Sequence, residues 1–347
     1  MSSLFPDPVL VTSLSEVEIS ASIDLLLDRK VPEEPKARFL TALHERGEKA
    51  SELAGFARVL LERSMRPVFD RSGSRPLVEL CGTGGDQAGF LNISTAAMFV
   101  VAGSGAKVVK HGNRAFSSQC GSADVLEAMG VDIHIAPARV GEVLEKAGCV
   151  FMLAGDFHPA VAAVAPIRRK LGEHGKKTIF NLLGPLLNPA LPDYQLTGIY
   201  REEMLPFYAE AMRLLGRRRA WAVHGKGLYP GGGVDELSIL GSSRVIEVLQ
   251  GQAVLSEFEI DPRDLGMGVI SDHRPLLGGD AVTNARRIES ILSGEERGAA
   301  RDMILLNASA ALYLAGMGSS HREALETAAR SIDSGDALQS LRALRKG

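Results

Sequence analysis

The chain has 347 residues, 45% hydrophobic and 23% charged, and its 39 Lys and Arg against 42 Asp and Glu leave a net charge of −3. This is ordinary globular composition with material for a large core and two domains, and the charge balance argues against a nucleic-acid binder. Cys81, Cys120 and Cys149 make neither a disulfide framework nor a CxxC metal site, which points to a reducing, cytoplasmic setting.

The N-terminal "MSSLFPDPVLVTSL" lacks the basic start and long apolar region of a signal peptide, and no apolar run is long enough to span a bilayer. The first seventy residues read as helices. Leu25–Leu27, then Phe39, Leu40 and Leu43, then Leu53, Phe56, Val59 and Leu60 recur at helical spacing, punctuated by Pro32 and the Gly47 region. From Arg75 the character changes. "PLVEL", "KVV", "CVFMLA", "YQLTGIY" and "RAWAVHG" read as short strands. Helices are predicted between them over Ser94–Val101, Ser122–Met129, Val140–Ala147 and Glu202–Leu215. The alternation predicts an α/β fold: a small N-terminal all-α domain (1–74), then a larger α/β domain (75–347) with a central, mostly parallel sheet flanked by helices. "FHPAVAAVAPIRRKLG" interrupts the alternation and reads as a proline-broken connector whose segment at about 158–172 packs back on the N-terminal helices. Arg217, Arg218 and Arg219 are expected at the end of a helix, facing its dipole and solvent. "MILLNASAALYLAG", apolar almost all round, is expected to lie against the sheet.

Three loops carry chemistry. In "CGTGGDQAGFLNIST" (Cys81–Thr95), Gly82, Gly84 and Gly85 allow a sharp turn, and their N–H groups form either an anion nest or an ordinary capped strand-to-helix turn. Asn92, Ser94 and Thr95 follow at a helix start, where free N–H groups favour a phosphate. "KVVKHGNRAFSSQCGSADVLEAMG" (Lys107–Gly130) repeats the design: Lys110 ends a strand, Gly112 and Gly121 permit close approach, and Ser117, Ser118 and Ser122 lead into a helix. Two such turns at the carboxyl ends of parallel strands suggest a substrate with phosphates at both ends. "GGGVDELS" adds the adjacent Asp235 and Glu236, which are either solvated or hard oxygen ligands for magnesium on a diphosphate.

"GTGGD", "NIST", "KHGNRAFSSQCGSADVLEAMG", "HPAVAAVAPIRRKLG", "FNLLGPLLNP" and "VDELS" occur in this order, and over about residues 15–345 the chain resembles the anthranilate phosphoribosyltransferases. The resemblance implies transfer of a 5-phosphoribosyl group from phosphoribosyl diphosphate (PRPP) to the amine of anthranilate, in tryptophan biosynthesis. It implies a magnesium cofactor and a homodimer joined through the helical domains. By motif, Gly82, Gly85, Asp86, Asn92, Ser94, Thr95, Lys110, Ser118 and Ser122 would hold PRPP. Ser94, Asp235 and Glu236 would reach magnesium. Asn113 and Arg168 would contact anthranilate, with Gly82 and His111 close by. An aniline nitrogen is neutral at pH 7, so no general base is assigned; His111 and Lys110 are positioning or electrostatic candidates, and His158 is read as capping or packing.

Pyrimidine nucleoside phosphorylases carry a similar second loop, but "FNLLGPLLNP" with "APIRRKLG" points to the transferase branch, and phosphorolysis needs no Asp235–Glu236 pair. A nucleic-acid-binding side branch is disfavoured by the net charge and the intact donor loops. The chain departs from the family pattern at Gln87 and Phe90, where a Gly and a Thr are usual, in an extra "EHGK", and in a longer "KGLYPGGGV".

Overall fold

The computed structural model describes residues 4–72, 75–115, 119–227 and 232–347. Three helices come first: α1 (Glu16–Leu27), α2 (Glu33–Arg46) and α3 (Ala50–Glu62). Ser15 opens α1 with a reciprocal cap. Its hydroxyl accepts the Glu18 N–H at 3.3 Å, and the Glu18 carboxylate accepts the Ser15 N–H at 2.8 Å. Pro32 precedes α2 and Gly47 ends it, at the predicted breaks. Glu52, fully buried, ties this unit together: it accepts the Leu14 N–H at 2.7 Å and the Lys49 N–H at 2.8 Å, and it pairs with Arg46.

The sheet comprises β1 (Leu77–Gly82), β2 (Lys107–Gly112), β3 (Cys149–Leu153), β4 (Tyr194–Gly198), β5 (Arg219–Lys226), β6 (Gly233–Val234), β7 (Ser243–Leu249) and β8 (Ser256–Ile260). Their order is β3-β2-β1-β4-β5-β7-β8, with β6 beside β5. The five strands predicted from sequence are the five parallel ones. The antiparallel edge of β6, β7 and β8 is an addition to the prediction. "SEFEI" alternates apolar and charged residues, as an edge strand does, and Arg244 and Glu247 break "SRVIEVL", so neither has the continuous apolar run of a buried parallel strand.

The helices that follow are α4 (Ile93–Gly103), α5 (Ser122–Ala128), α6 (Val140–Ala147), α7 (Ala154–Phe157), α8 (Ala165–Glu173), α9 (Phe180–Leu183) and α10 (Leu205–Leu214). The last four are α11 (Ala281–Leu292), α12 (Ala299–Leu314), α13 (His321–Asp333) and α14 (Asp336–Leu344). Strand alternation sorts the core onto two faces. On β5, Trp221 and Val223 join the apolar cluster formed with α4–α6 and α11–α14, whereas Ala220 and Ala222 join the cluster formed with α1–α3 and α10. Helix α12 packs against β4, α4 and α13 and is buried almost all round, as its composition predicts. Pro159 opens a 3-10 segment, Pro159–Val164, that packs on α1, and α8 packs on α2.

The arginine run is not what the sequence suggests. Helix α10 stops at Leu214, and Arg217 is buried, its Nε donating to Gln195 Oε1 at 2.8 Å. Glu79, buried nearby, supplies the opposing charge when it is ionised. Arg218 lies over the Tyr194 ring, and Arg219 begins β5 and pairs with Glu247.

Candidate active site

The chain steps from β1 outward to β2 and β3, then returns to place β4 on the other side of β1. That reversal makes a crevice at the carboxyl ends of β1 and β4, the position where open α/β sheets bind ligands. The glycine turn after β1 opens into it. Gly84 and Gly85 have φ of 71° and 89°, a left-handed region open to glycine at little cost. Gln87 follows at φ 57°, a conformation more natural for the glycine usual at this position.

The loop bearing Asp235 crosses the ends of these two strands. A Cβ on Gly198 would overlap the Asp235 carbonyl oxygen, and one on Gly82 would overlap the Asp235 carboxylate. Glycine at both places therefore reflects close approach of the Asp235 loop to the strand ends. The Gly84 N–H donates to Asp235 Oδ2 at 2.6 Å, and the Asp235 N–H donates to Asp86 Oδ2 at 3.3 Å. One N–H of the anticipated anion nest, that of Gly84, is thus already taken by a carboxylate. At the start of α4, the Ser94 N–H donates to Glu236 Oε1 at 3.1 Å. Lys110 Nζ, buried, donates to the Leu80 carbonyl at 2.7 Å and to Ser94 Oγ at 3.1 Å. Asp86, Ser94, Lys110, Asp235 and Glu236 are accordingly brought together.

Their electrostatics follow from crowding. Burial first, then the charges of Asp86 and Glu236, push the Asp235 carboxyl well above its ordinary range. Burial raises Glu236 to about 7, opposed by Lys110. Among the described residues, no three Asp, Glu, His or Cys side chains converge as a complete metal cage. Two carboxylates and a hydroxyl are the donor set that suits magnesium when substrate phosphates and water supply the remaining ligands. These residues fit such an ion.

The second turn is described in part, since Ser117 and Ser118 lie outside the described residues. Ser122 Oγ donates to the Asn113 carbonyl at 3.3 Å, and Asn113 itself is exposed just past β2. Thr95 is buried in the first turn of α4. Asn92 differs from a free phosphate donor: its Nδ2 donates to the Cys120 carbonyl at 3.1 Å and its Oδ1 accepts from Asn284 Nδ2 at 3.0 Å.

His111 lies near the end of β2 and is buried, its ring 5.3 Å from that of His158 in an edge-on arrangement. Burial foremost, then the His158 neighbour, lowers its pKa to about 3, while the Gly184 carbonyl acts in the other direction. A neutral imidazole at physiological pH is a positioning group and a weak base. Its Nε2 is buried without a hydrogen-bond partner among the described residues. His158 packs as expected, its Nε2 2.7 Å from the Leu187 carbonyl. Arg168, half-buried on α8, lies 5.6 Å over the Phe180 ring, and burial lowers its pKa. No ion pair of Arg168 occurs among the described residues, whereas Arg169 is exposed.

Sequence reading missed the frame beneath these groups. The β1–β2 ladder pairs only Leu77 with Lys107 and Val78 with Val108. Beyond it, side chains join the strands: Lys110 to Leu80, and Glu79 Oε1, which accepts the His111 N–H at 3.3 Å. Asn188, from "FNLLGPLLNP", donates to the Val109 carbonyl at 2.8 Å. A lone Glu in the apolar "PLVEL" was the available signal.

A helical bundle ahead of an α/β domain with this crevice defines a class. Residues 12–64 match the glycosyl transferase family helical bundle domain, and residues 74–338 match the glycosyl transferase family a/b domain. Within that class, the chain belongs to the anthranilate phosphoribosyltransferase family. It is 45% identical over 331 residues to the anthranilate phosphoribosyltransferase of Roseiflexus castenholzii, covering 95% of this chain and 93% of that protein. It is 44% identical to that of Rubrobacter xylanophilus, covering 94% and 92%. The crystal structure of the Thermus thermophilus enzyme superposes with a TM-score of 0.87 at 40% identity, over 98% of each chain. The Saccharomyces cerevisiae enzyme in complex with PRPP and Mg superposes with a TM-score of 0.85 at 28% identity, over 96% and 93%.

Proposed function

We propose that the protein transfers 5-phosphoribose from PRPP to the amine of anthranilate, giving N-(5-phosphoribosyl)anthranilate and diphosphate in tryptophan biosynthesis. The observation that carries this reading is the meeting of Lys110, Ser94, Asp235 and Glu236 beneath the glycine turn of the β1–β4 crevice. The relatives named for this reaction, one of them solved with PRPP and Mg, support it.

Gly82, Gly85, Asp86, Asn92, Ser94, Thr95, Lys110 and Ser122 are proposed to line the PRPP site, with Ser118 carried over from the motif. Asp235 and Glu236, with Ser94, would hold magnesium. Bound there, it would neutralise charge on the departing diphosphate. Burial lowers the pKa of Lys110, and the neighbouring acids Glu236, Glu79 and Asp235 oppose that shift; in its charged form Lys110 would place positive charge where negative charge develops as the C1–oxygen bond breaks. Gly82, His111, Asn113 and Arg168 are proposed for the acceptor. The Arg168 guanidinium matches a carboxylate, and the unpartnered His111 Nε2 is suited to accept a hydrogen bond from the amine. A base as weak as His111 orients that amine for in-line attack and does not need to remove its proton.

A division near residue 74, a homodimer through the N-terminal helices and a cytoplasmic location belong to the same proposal. Among the described residues no helix is long and apolar enough to cross a membrane. The direct test mixes protein, PRPP and magnesium and follows the loss of anthranilate fluorescence. No loss with anthranilate, alongside phosphorolysis of thymidine or uridine, would overturn the reading.

A further inference from the structure

Asn284 lies at the start of α11, far in sequence from both glycine turns, and it is 2% exposed. Its carboxamide is anchored on one side, where Oδ1 accepts the Gly279 N–H at 2.7 Å. On the other side Nδ2 donates to Asn92 Oδ1 at 3.0 Å, and Asn92 Nδ2 then donates to the Cys120 carbonyl at 3.1 Å. Asn92 closes the first turn and Cys120 belongs to the second. The chain of amides therefore runs from the 278–284 corner through one phosphate-binding turn to the other. The corner is also tied by backbone: the Gly278 N–H donates to the Gly89 carbonyl at 2.9 Å, and the Leu91 N–H to the Leu276 carbonyl at 2.8 Å.

We propose that Asn284 is a positioning residue that latches Asn92 and so sets the spacing of the two turns that grip PRPP. The inference rests on the PRPP reading above. An amide side chain has one acceptor and one donor end, so anchoring Oδ1 on Gly279 presents Nδ2 to Asn92 in a single orientation. That in turn orients the Asn92 amide, with its donor toward Cys120. The latch works by removing rotamer freedom before the substrate arrives, which favours binding through pre-organisation.

The test uses the full-length chain with PRPP, magnesium and anthranilate. Asn284→Asp retains the size and the acceptor for Gly279 but cannot donate to Asn92. Asn284→Ala removes both bonds, and its contact with the Cys120 thiol, without adding charge. Both should raise the KM for PRPP roughly tenfold, as expected for a buried amide left unpaired, and shift the KM for anthranilate less than about twofold. In an Asn92→Ala background the latch is already open, so Asn284→Ala should add less than about twofold. Thermal unfolding of each variant identifies any that fails to fold, and Asn284→Asp then carries the comparison. Effects that add in full, or a PRPP KM that does not move in an active, folded variant, overturn the latch. A wild-type protein that does not turn over PRPP overturns the functional reading, and the latch with it.

Discussion

The Gly84 N–H and the Asp235 carboxylate are joined at 2.6 Å, so the glycine turn after β1 is held by an acid 151 residues away. The same acid lies against Gly82 and Gly198 and bonds Asp86 through its own N–H. One residue thus links the glycine turn after β1, the metal-binding candidates and the ends of two strands.

Asp235→Asn should lower turnover roughly a hundredfold, about 3 kcal/mol of transition-state stabilisation, with partial recovery at high magnesium. The fold should tolerate it, since removing the Asp235 charge relieves its repulsion with Asp86 and Glu236. Turnover that is independent of magnesium in both proteins would sink the assignment of Asp235.

Gly198→Ala should be worse than its size suggests. Its Cβ would displace the Asp235 backbone, and a shift of about 1 Å at such a site costs on the order of a hundredfold in rate. High magnesium should not restore it, because the ligand is misplaced and not lost. Steady-state rates across a magnesium titration separate the two variants; equal recovery would refute the steric account.

Glu79 gives a pH dependence. Burial raises its carboxyl from 4.5 to about 7, against the pull of Arg217 and Lys110. Between these values the folded protein keeps a proton that the unfolded chain has released, so stability is lost as pH rises through this window. The full effect is about 3 kcal/mol. Glu79→Gln keeps an acceptor for the His111 N–H and removes the titration. Its thermal midpoint should fall less than that of the wild type between pH 5 and pH 8; parallel midpoints would argue against a proton on Glu79.

The sequence revealed what local chemistry writes into it. Short, largely apolar segments marked the five parallel strands, and glycines beside donors marked the turns that hold Asp86, Ser94 and Lys110. What it concealed depends on distant partners. Nothing near Arg217 discloses Gln195 or Glu79, and nothing near Asn92 discloses that Asn284 occupies its amide. The β7 and β8 strands were hidden for another reason: Arg244, Glu247, Glu257 and Glu259 interrupt their apolar residues, and such a segment resembles a solvated loop until a neighbouring strand pairs with it.

The N-terminal helices should form a dimer interface. Val9, Leu10 and Val17 are 67%, 81% and 79% exposed, and such an apolar surface on the helical unit favours a second copy. Light scattering at micromolar concentration should give twice the chain mass, and Leu10→Asp with Val17→Asp should halve it. A monomeric wild type would exclude this arrangement.

The acceptor assignment turns on Arg168. It is half-buried over Phe180 with no ion pair among the described residues, so a ligand carboxylate would meet a guanidinium already drawn out of water. Arg168→Ala should raise the KM for anthranilate about ten- to a hundredfold, the loss of a charge-assisted bond worth roughly 1.5–3 kcal/mol. The KM for PRPP should hardly change. Lysine should rescue only part of the effect, since an ammonium lacks the planar fork that matches both carboxylate oxygens. Arg169 provides the control: it is exposed, and neighbouring helical residues point about 100° apart, so Arg169→Ala should do little. If the two alanine variants behave alike, or if Arg168→Ala acts mainly on PRPP, the acceptor binds elsewhere, and the identity of the acceptor rests on relatedness alone.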